Sequence, residues 1–92
     1  MRNIILTYDI VDDKRRTNLF KILQGYGISV QFSVFECQIS EVDLIQMKYN
    51  VESIINRNED SVIYYDLCPR CNKKIKRTGI RKRYIPEDIV VV

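Results

Sequence analysis

The sequence predicts an α+β fold in which an antiparallel sheet carries two helices on one face. Three observations lead to this expectation. Runs of apolar, β-branched and aromatic residues indicate strands, and two segments between them place apolar residues at helical spacing. Each helical segment begins with side chains that cap helix N-termini. The chain has 92 residues, which is enough for a single domain.

We expect one domain over residues 1–92, with its core in residues 1–67 and a basic loop and C-terminal strand in residues 68–92. A composition of 46% hydrophobic and 29% charged residues excludes a disordered or low-complexity chain. No apolar run approaches the ~20 residues of a membrane-spanning helix, and Asp9 interrupts the N-terminal apolar stretch too early for a secretory signal. A cytoplasmic protein with no membrane partner is therefore expected.

The first strand and helix are predicted from the N-terminal third of the chain. Residues 3–11, NIILTYDIV, form an Ile- and Leu-rich run that is typical of a buried strand. Asp12 and Asp13 follow it, and carboxylates there cap the first turn of a helix and meet the positive end of its dipole. The helix is predicted from about Lys14 to Tyr26. Its apolar face comprises Leu19, Phe20, Leu23 and Tyr26.

Gly25 and Gly27 are predicted to end this helix, with a left-handed residue at its C-terminus. The next segment, residues 28–39, alternates strictly between apolar and other residues but changes phase. Residues 28 to 34 place their apolar side chains on one parity, whereas Phe35 begins a run on the other. A strand with one buried face cannot keep both sets inside. We therefore expect a bulge, a bend or a split into two strands near Ser33.

Ser40 and Asp43 form a predicted capping box ahead of a second helix that ends near Asn56. Residues 61–67, SVIYYDL, are β-branched and aromatic and predict a strand, and CPRCNKK after them predicts a turn. The order β-α-β-β-α-β is the split βαβ, or ferredoxin-like, plan, to which IVVV at 89–92 adds a strand. The second sheet face has no predicted cover, so we expect a homodimer formed by sheet packing.

The positive charge is concentrated in one segment, although the net charge is only +3. Residues 70–83 hold eight of the fifteen Lys and Arg residues, with no acid between Asp66 and Glu87. Such a segment attracts phosphates, and the alternative is a solvated basic loop. The candidate nucleic-acid contacts here and at the first helix are Lys14, Arg15, Arg16, Arg77, Arg81, Lys82 and Arg83.

The chain contains no histidine, which excludes histidine-based catalysis and metal ligation. Asp9, near the end of a hydrophobic strand, is the candidate ligand for a hard cation such as Mg²⁺, because that cation prefers carboxylate oxygens. Two symmetry-related Asp9 side chains would make a better site than one. The alternative is that Asp9 accepts hydrogen bonds from the turn backbone. Cys68 and Cys71 have the spacing of half a zinc site, a redox pair or a structural turn, and Cys37 is expected in the core.

Two stretches together resemble a known family: YDIVDDKRR at 8–16 and GYGISVQFSVFECQI at 25–39. The family pattern is a first strand ending in (Y/F)-D-I-x-D, an arginine-rich helix start, and Y-G-x-x-x-Q-x-S-V-F-E. The matching residues are Tyr8, Asp9, Ile10, Asp12, Lys14, Arg15, Arg16, Tyr26, Gly27, Gln31, Ser33, Val34, Phe35 and Glu36. Over about residues 1–67 the sequence is similar to the small CRISPR-associated protein of the adaptation complex, the second core CRISPR-associated family.

The resemblance implies a homodimer of face-to-face sheets, in which the C-terminal strand of each chain adds to the sheet of the other. It implies that Asp9 binds Mg²⁺ or Mn²⁺ near the two-fold axis, and that Tyr8 and Asp9 are the catalytic residues. Members act as metal-dependent endonucleases on RNA or double-stranded DNA, and also bridge two integrase dimers without catalysis. Some members carry an arginine where this chain has Ser29 and Val30, which weakens the expectation of RNase activity.

Two classes of function therefore stay open, a dimeric endonuclease and a purely architectural nucleic-acid-binding module in spacer acquisition. Because a single metal carboxylate per subunit is sparse equipment for hydrolysis, the residues slightly favour the architectural role. A third alternative is a toxin-type RNase, since related small ferredoxin-like folds include such proteins.

Overall fold

The computed structural model describes residues 1–72, 76 and 78, and all that follows concerns these residues. The predicted C-terminal strand at 89–92 and the candidate contacts Arg77, Arg81, Lys82 and Arg83 lie outside them. In chain order the elements are β1 (Arg2–Asp9), α1 (Asp13–Gln24), β2 (Ile28–Gln31), β3 (Val34–Ile39), α2 (Glu41–Ile54), β4 (Ser61–Leu67) and the single turn α3 (Pro69–Asn72).

The four strands form one antiparallel sheet in the order β2-β3-β1-β4, which confirms the predicted ferredoxin-like plan. The central strand β1 alternates, with Ile4, Leu6 and Tyr8 buried on the side that α1 and α2 cover. Phe20 from α1 meets Phe35 from β3 edge to face, at a centroid distance of 5.2 Å. This alternation decides which side chains of β1 reach the helices and which reach the opposite face.

The segment 28–39 splits into two strands, as its change of phase predicts. Phe32 and Ser33 form the connection between β2 and β3, and Ser33 adopts a left-handed φ of 61°. The register between the strands shifts between Ser29 and Gln31. The shift lets Ser29 enter the core and leaves Phe32 62% exposed.

Both helix starts are capped as predicted. An Asp12 carboxylate oxygen accepts a hydrogen bond from the backbone N–H of Arg15 at 2.9 Å, and the hydroxyl of Ser40 accepts one from Asp43 at 3.2 Å. The predicted left-handed C-terminus of α1 is wrong, because Gly25 has a right-handed φ of −74°. Gly27 is needed for a different reason. A Cβ there would lie 2.5 Å from both the sulfur of Cys37 and the carbonyl oxygen of Glu36.

The sheet face opposite the helices is apolar and lacks a cover within the described residues. Ile5 on β1 lies opposite Tyr65 on β4, and Thr7 lies opposite Ile63. Side chains directly across two strands share a face. Ile63 is 46% exposed and Tyr65 is 49% exposed. We call this surface, comprising Ile5, Val34, Ile63 and Tyr65, the open face. Among the described helices, none has the length and apolarity to cross a membrane.

Candidate functional site

Asp9 is the last residue of β1 and lies directly opposite Ser61, the first residue of β4. Tyr8 before it is buried on the helix side, so the alternation of the strand turns Asp9 toward the open face. Both Asp9 and Ser61 are exposed. A carboxylate and a hydroxyl therefore lie side by side at the edge of the open face.

Tyr8 is a core residue in this structure. Its ring packs against Phe35 at a centroid distance of 6.3 Å, and its backbone N–H donates to the carbonyl of Ser33 at 3.1 Å. These contacts join the β2–β3 connection to the strand end that carries Asp9. Tyr8 therefore has a packing role, whereas its catalytic role stays a prediction.

The metal ligands that one chain offers are few. Within residues 1–72, no group of three or more His, Cys, Asp and Glu side chains lies close enough to hold a metal ion. The exposed Asp9 carboxylate is the right kind of donor for Mg²⁺ or Mn²⁺, but it is a single one. The residues present fit such a cation only where a second carboxylate comes from another molecule.

The loop after Asp9 is fastened by two arginines of α1. Arg16 donates one hydrogen bond to the carbonyl of Ile10 at 3.0 Å and pairs with the Asp13 carboxylate at 2.6 Å. Arg15 turns toward the loop before β4, where it pairs with Asp60 at 2.9 Å and with Glu59 at 3.0 Å.

Asp60 carries the least exposed charge of this region, with a side chain that is 0% exposed. Its carboxylate accepts hydrogen bonds from the side chain of Arg15 and from the backbone N–H groups of Asn56 and Val11, the last two at 2.8 and 3.0 Å. These bonds favour the ionised form, Arg15 most strongly, and lower the pKa of Asp60 to about 2.

The structure separates the three basic residues that the sequence predicts as nucleic-acid contacts at α1. Arg15 and Arg16 are engaged by acids and a carbonyl of their own chain, whereas Lys14 is exposed. Sequence analysis missed Asp60 and Ser61. The signal available was the acidic pair Glu59 and Asp60 just before a strand, but only the fold brings that pair to Arg15.

The cysteines divide between core and surface. Cys37 is fully buried on β3, as predicted, and burial raises the pKa of its thiol to about 11. Cys68 is exposed immediately before α3. The predicted turn at CPRCNKK is partly helical, because Pro69–Asn72 form one helical turn. The side chain of Cys71 lies outside the described residues.

The strand order, the two helices on one face and the Tyr-Asp end of the first strand together define a ferredoxin-like α+β protein with a single acidic strand end. A family model described as CRISPR associated protein Cas2 matches residues 1–75. The chain belongs to the Cas2 family, which confirms the resemblance drawn from the two sequence stretches. Membership in this family also favours a CRISPR function over a toxin-type RNase.

Relatives with assigned names agree with this family. The chain is 40% identical over 79 residues to a CRISPR-associated endoribonuclease Cas2 of Methanospirillum hungatei, a match that covers 86% of this chain and 88% of the relative. It is 38% identical over 82 residues to a CRISPR-associated endoribonuclease Cas2 of Geobacter sulfurreducens, which covers 89% and 86% of the two chains.

Solved structures share the fold over most of the chain. A hypothetical protein from Thermus thermophilus has a TM-score of 0.77 at 30% identity and covers 94% of this chain and 98% of its own. Cas2 from Streptococcus pyogenes has a TM-score of 0.74 at 28% identity, with coverages of 84% and 99%. A chain of a partial Cas6-RT-Cas1–Cas2 complex has a TM-score of 0.71 at 28% identity, with coverages of 84% and 90%.

Proposed function

We propose that the chain acts as a homodimer in CRISPR spacer acquisition, where it binds nucleic acid, bridges integrase dimers and cleaves phosphodiester bonds with a divalent cation held by Asp9. The observation that carries this proposal is the position of Asp9. Its side chain lies on the same sheet face as the apolar residues Ile63 and Tyr65, so one packing event would cover those residues and bring a second Asp9 to the same surface.

The open face supplies the physical reason for a dimer. Apolar side chains gain roughly 25 cal/mol for each Å² removed from water, and about half of Ile63 and Tyr65 is exposed in one chain. A second copy offers an identical surface, as a two-fold interface requires. The predicted strand at 89–92 would extend the interface by adding to the sheet of the partner.

Two facing Asp9 carboxylates would repel each other unless a cation or a proton lay between them. Mg²⁺ or Mn²⁺ is the proposed cofactor, and Asp9 from each chain would hold it. When bound, such an ion activates water and stabilises negative charge on a phosphate group. The hydroxyl of Ser61 lies beside Asp9 and is placed to hydrogen-bond the carboxylate or a ligand water.

The proposed substrate is RNA, with double-stranded DNA as the alternative, because the named relatives are endoribonucleases. The proposed partner is a CRISPR-associated integrase, because a structural neighbour comes from a complex of Cas1 and Cas2. Lys14 and the basic residues Arg77, Arg81, Lys82 and Arg83 would contact phosphates.

A purely architectural role without catalysis is the second candidate. The observation that favours it is the single carboxylate at the strand end, with no metal-binding cluster among the described residues. In that case the basic residues bind the duplex and the dimer organises the integrase, while Asp9 is dispensable for acquisition.

A cleavage assay tests the proposal. The purified chain is incubated with labelled single-stranded RNA and with duplex DNA, in Mg²⁺, in Mn²⁺ and in a chelator. We expect metal-dependent cleavage that Asp9→Asn abolishes, because the amide keeps the shape but loses the charge. Asp43→Asn is the matched control, since Asp43 is an exposed acid at the start of α2. Equal cleavage by wild type and Asp9→Asn would overturn the nuclease and leave the architectural role.

A further inference from the structure

The carboxylate of Asp60 is hydrogen-bonded to capacity. Oδ1 accepts from the backbone of Val11 at 3.0 Å and from Arg15 Nη2 at 3.3 Å. Oδ2 accepts from the backbone of Asn56 at 2.8 Å and from Arg15 Nε at 2.9 Å. A carboxylate has about four lone-pair directions, so these four donors leave it no capacity for a ligand. Asp60 is therefore built into the protein, and its function must act through its neighbours.

Those neighbours flank Asp9 on both strands. Val11 follows Asp9 by two residues on the β1 side, and Ser61, which lies opposite Asp9, follows Asp60 directly. The same carboxylate also holds Arg15 in the first turn of α1. Asp60 thus connects the loop after β1, the start of α1 and the start of β4.

A second arginine fastens the loop independently. Arg16 donates to the carbonyl of Ile10, the residue between Asp9 and Val11, at 3.0 Å. The carbonyl of one loop residue and the N–H of the next are thus both taken by α1 or by Asp60. The backbone immediately after Asp9 is restrained at two consecutive positions.

We propose that Asp60 is a positioning residue for Asp9, and that Arg15 serves this restraint rather than a phosphate. The proposal rests on the function proposed for Asp9. Asp60 does not touch the reacting groups. It fixes where the end of β1 lies relative to Ser61, and a displacement of about 1 Å at a reacting centre can cost about 10²-fold in rate.

The test compares Asp60→Asn with Arg2→Met. Arg2 lies at the other end of β1, where it bridges Glu41 on α2 and Asp66 on β4. Both substitutions remove ion pairs that connect β1 with a neighbouring element, but only Asp60→Asn releases the Asp9 end. Backbone resonances of Asp9 and Ser61 are recorded by NMR, together with hydrogen exchange of the Val11 amide and with kcat and KM on RNA.

We expect Asp60→Asn to shift the Asp9 and Ser61 resonances, to speed exchange at Val11 at least about tenfold, and to lower kcat about tenfold or more with little change in KM. Arg2→Met leaves all four readouts near wild type. Unchanged Asp9 and Ser61 resonances in Asp60→Asn overturn the proposal, and so does a loss of kcat that Arg2→Met reproduces at equal stability.

The NMR readout separates this proposal from the one on which it rests. If Asp9→Asn leaves cleavage intact, the proposed nuclease fails, while the resonances still decide whether Asp60 places the strand end. If Asp60→Asn does not fold, the double variant Arg15→Met with Asp60→Leu replaces it, because apolar substitution of both partners leaves no unpaired buried charge. The double variant is expected to show the same shifts, and their absence again overturns the proposal.

Discussion

Arg15 Nε donates to Asp60 Oδ2 at 2.9 Å and joins the first turn of α1 to a residue 45 positions further along the chain. The hydrogen bond lies next to Asp9 and engages an arginine that the sequence alone assigns to nucleic acid. Its consequences for stability, for phosphate binding and for the strand end can be measured separately.

Acid should destabilise the protein through Asp60. The pKa of this group is lowered from 3.8 to about 2, so its stabilising contribution is fully present above the unfolded value and is lost as the pH falls toward 2. Thermal unfolding followed from about pH 5 down to about pH 2 should show a falling melting temperature. Asp60→Asn should show a smaller fall, and an identical fall would contradict the assignment.

Gly27→Ala should destabilise the fold. The new methyl group would lie 2.5 Å from Cys37 and from the Glu36 carbonyl, so the expected loss is about 1–3 kcal/mol in urea unfolding. Gly25→Ala is the control, because its nearest neighbour atom is 3.3 Å away and its φ suits alanine. The control should change stability by less than about 1 kcal/mol. Equal losses for the two variants would show that the approach to Cys37 is unimportant.

A charge on the open face should prevent the dimer. Ile63→Glu places a carboxylate in the proposed interface, so sedimentation should show a monomer whose thermal unfolding stays cooperative. Tyr49→Glu is the control, because Tyr49 is 74% exposed on α2. A dimer that survives Ile63→Glu but not Tyr49→Glu would move the interface to the helices.

Phosphate binding should depend on the basic residues after β4 and on Lys14. Neutralising Arg77, Arg81, Lys82 or Arg83 should reduce the salt dependence of duplex binding by about 0.9 for each phosphate that is no longer neutralised on B-form DNA. Lys14→Gln should have a similar effect. Arg15→Gln should lower stability more than it alters the salt slope, because Arg15 is paired with Asp60. A slope change from Arg15 alone would restore it as a phosphate contact.

The sequence predicts the strands, the helix starts and the split at Ser33 because each depends on neighbouring residues. Asp12 and Ser40 cap the residues three positions after them, so their signals are local. The role of Asp60 could not be predicted, because its partner Arg15 comes into range only when the fold is complete. The reason for Gly27 is equally hidden, because tight packing selects glycine as strongly as a left-handed backbone does.

Tyr8 shows the same limit at the candidate site. The sequence places it beside Asp9, but strand alternation sends the two side chains to opposite faces. Adjacent residues in a motif can therefore serve the core and the surface separately.

Manganese titration of the purified chain decides whether two Asp9 carboxylates share one ion. Bound Mn²⁺ is counted by electron paramagnetic resonance and referred to chain concentration, in wild type, Asp9→Asn and Asp43→Asn. We expect one ion for every two chains in wild type and in Asp43→Asn, and none in Asp9→Asn. One ion for every chain, or binding that Asp9→Asn leaves unchanged, would contradict a metal site shared by two Asp9 carboxylates.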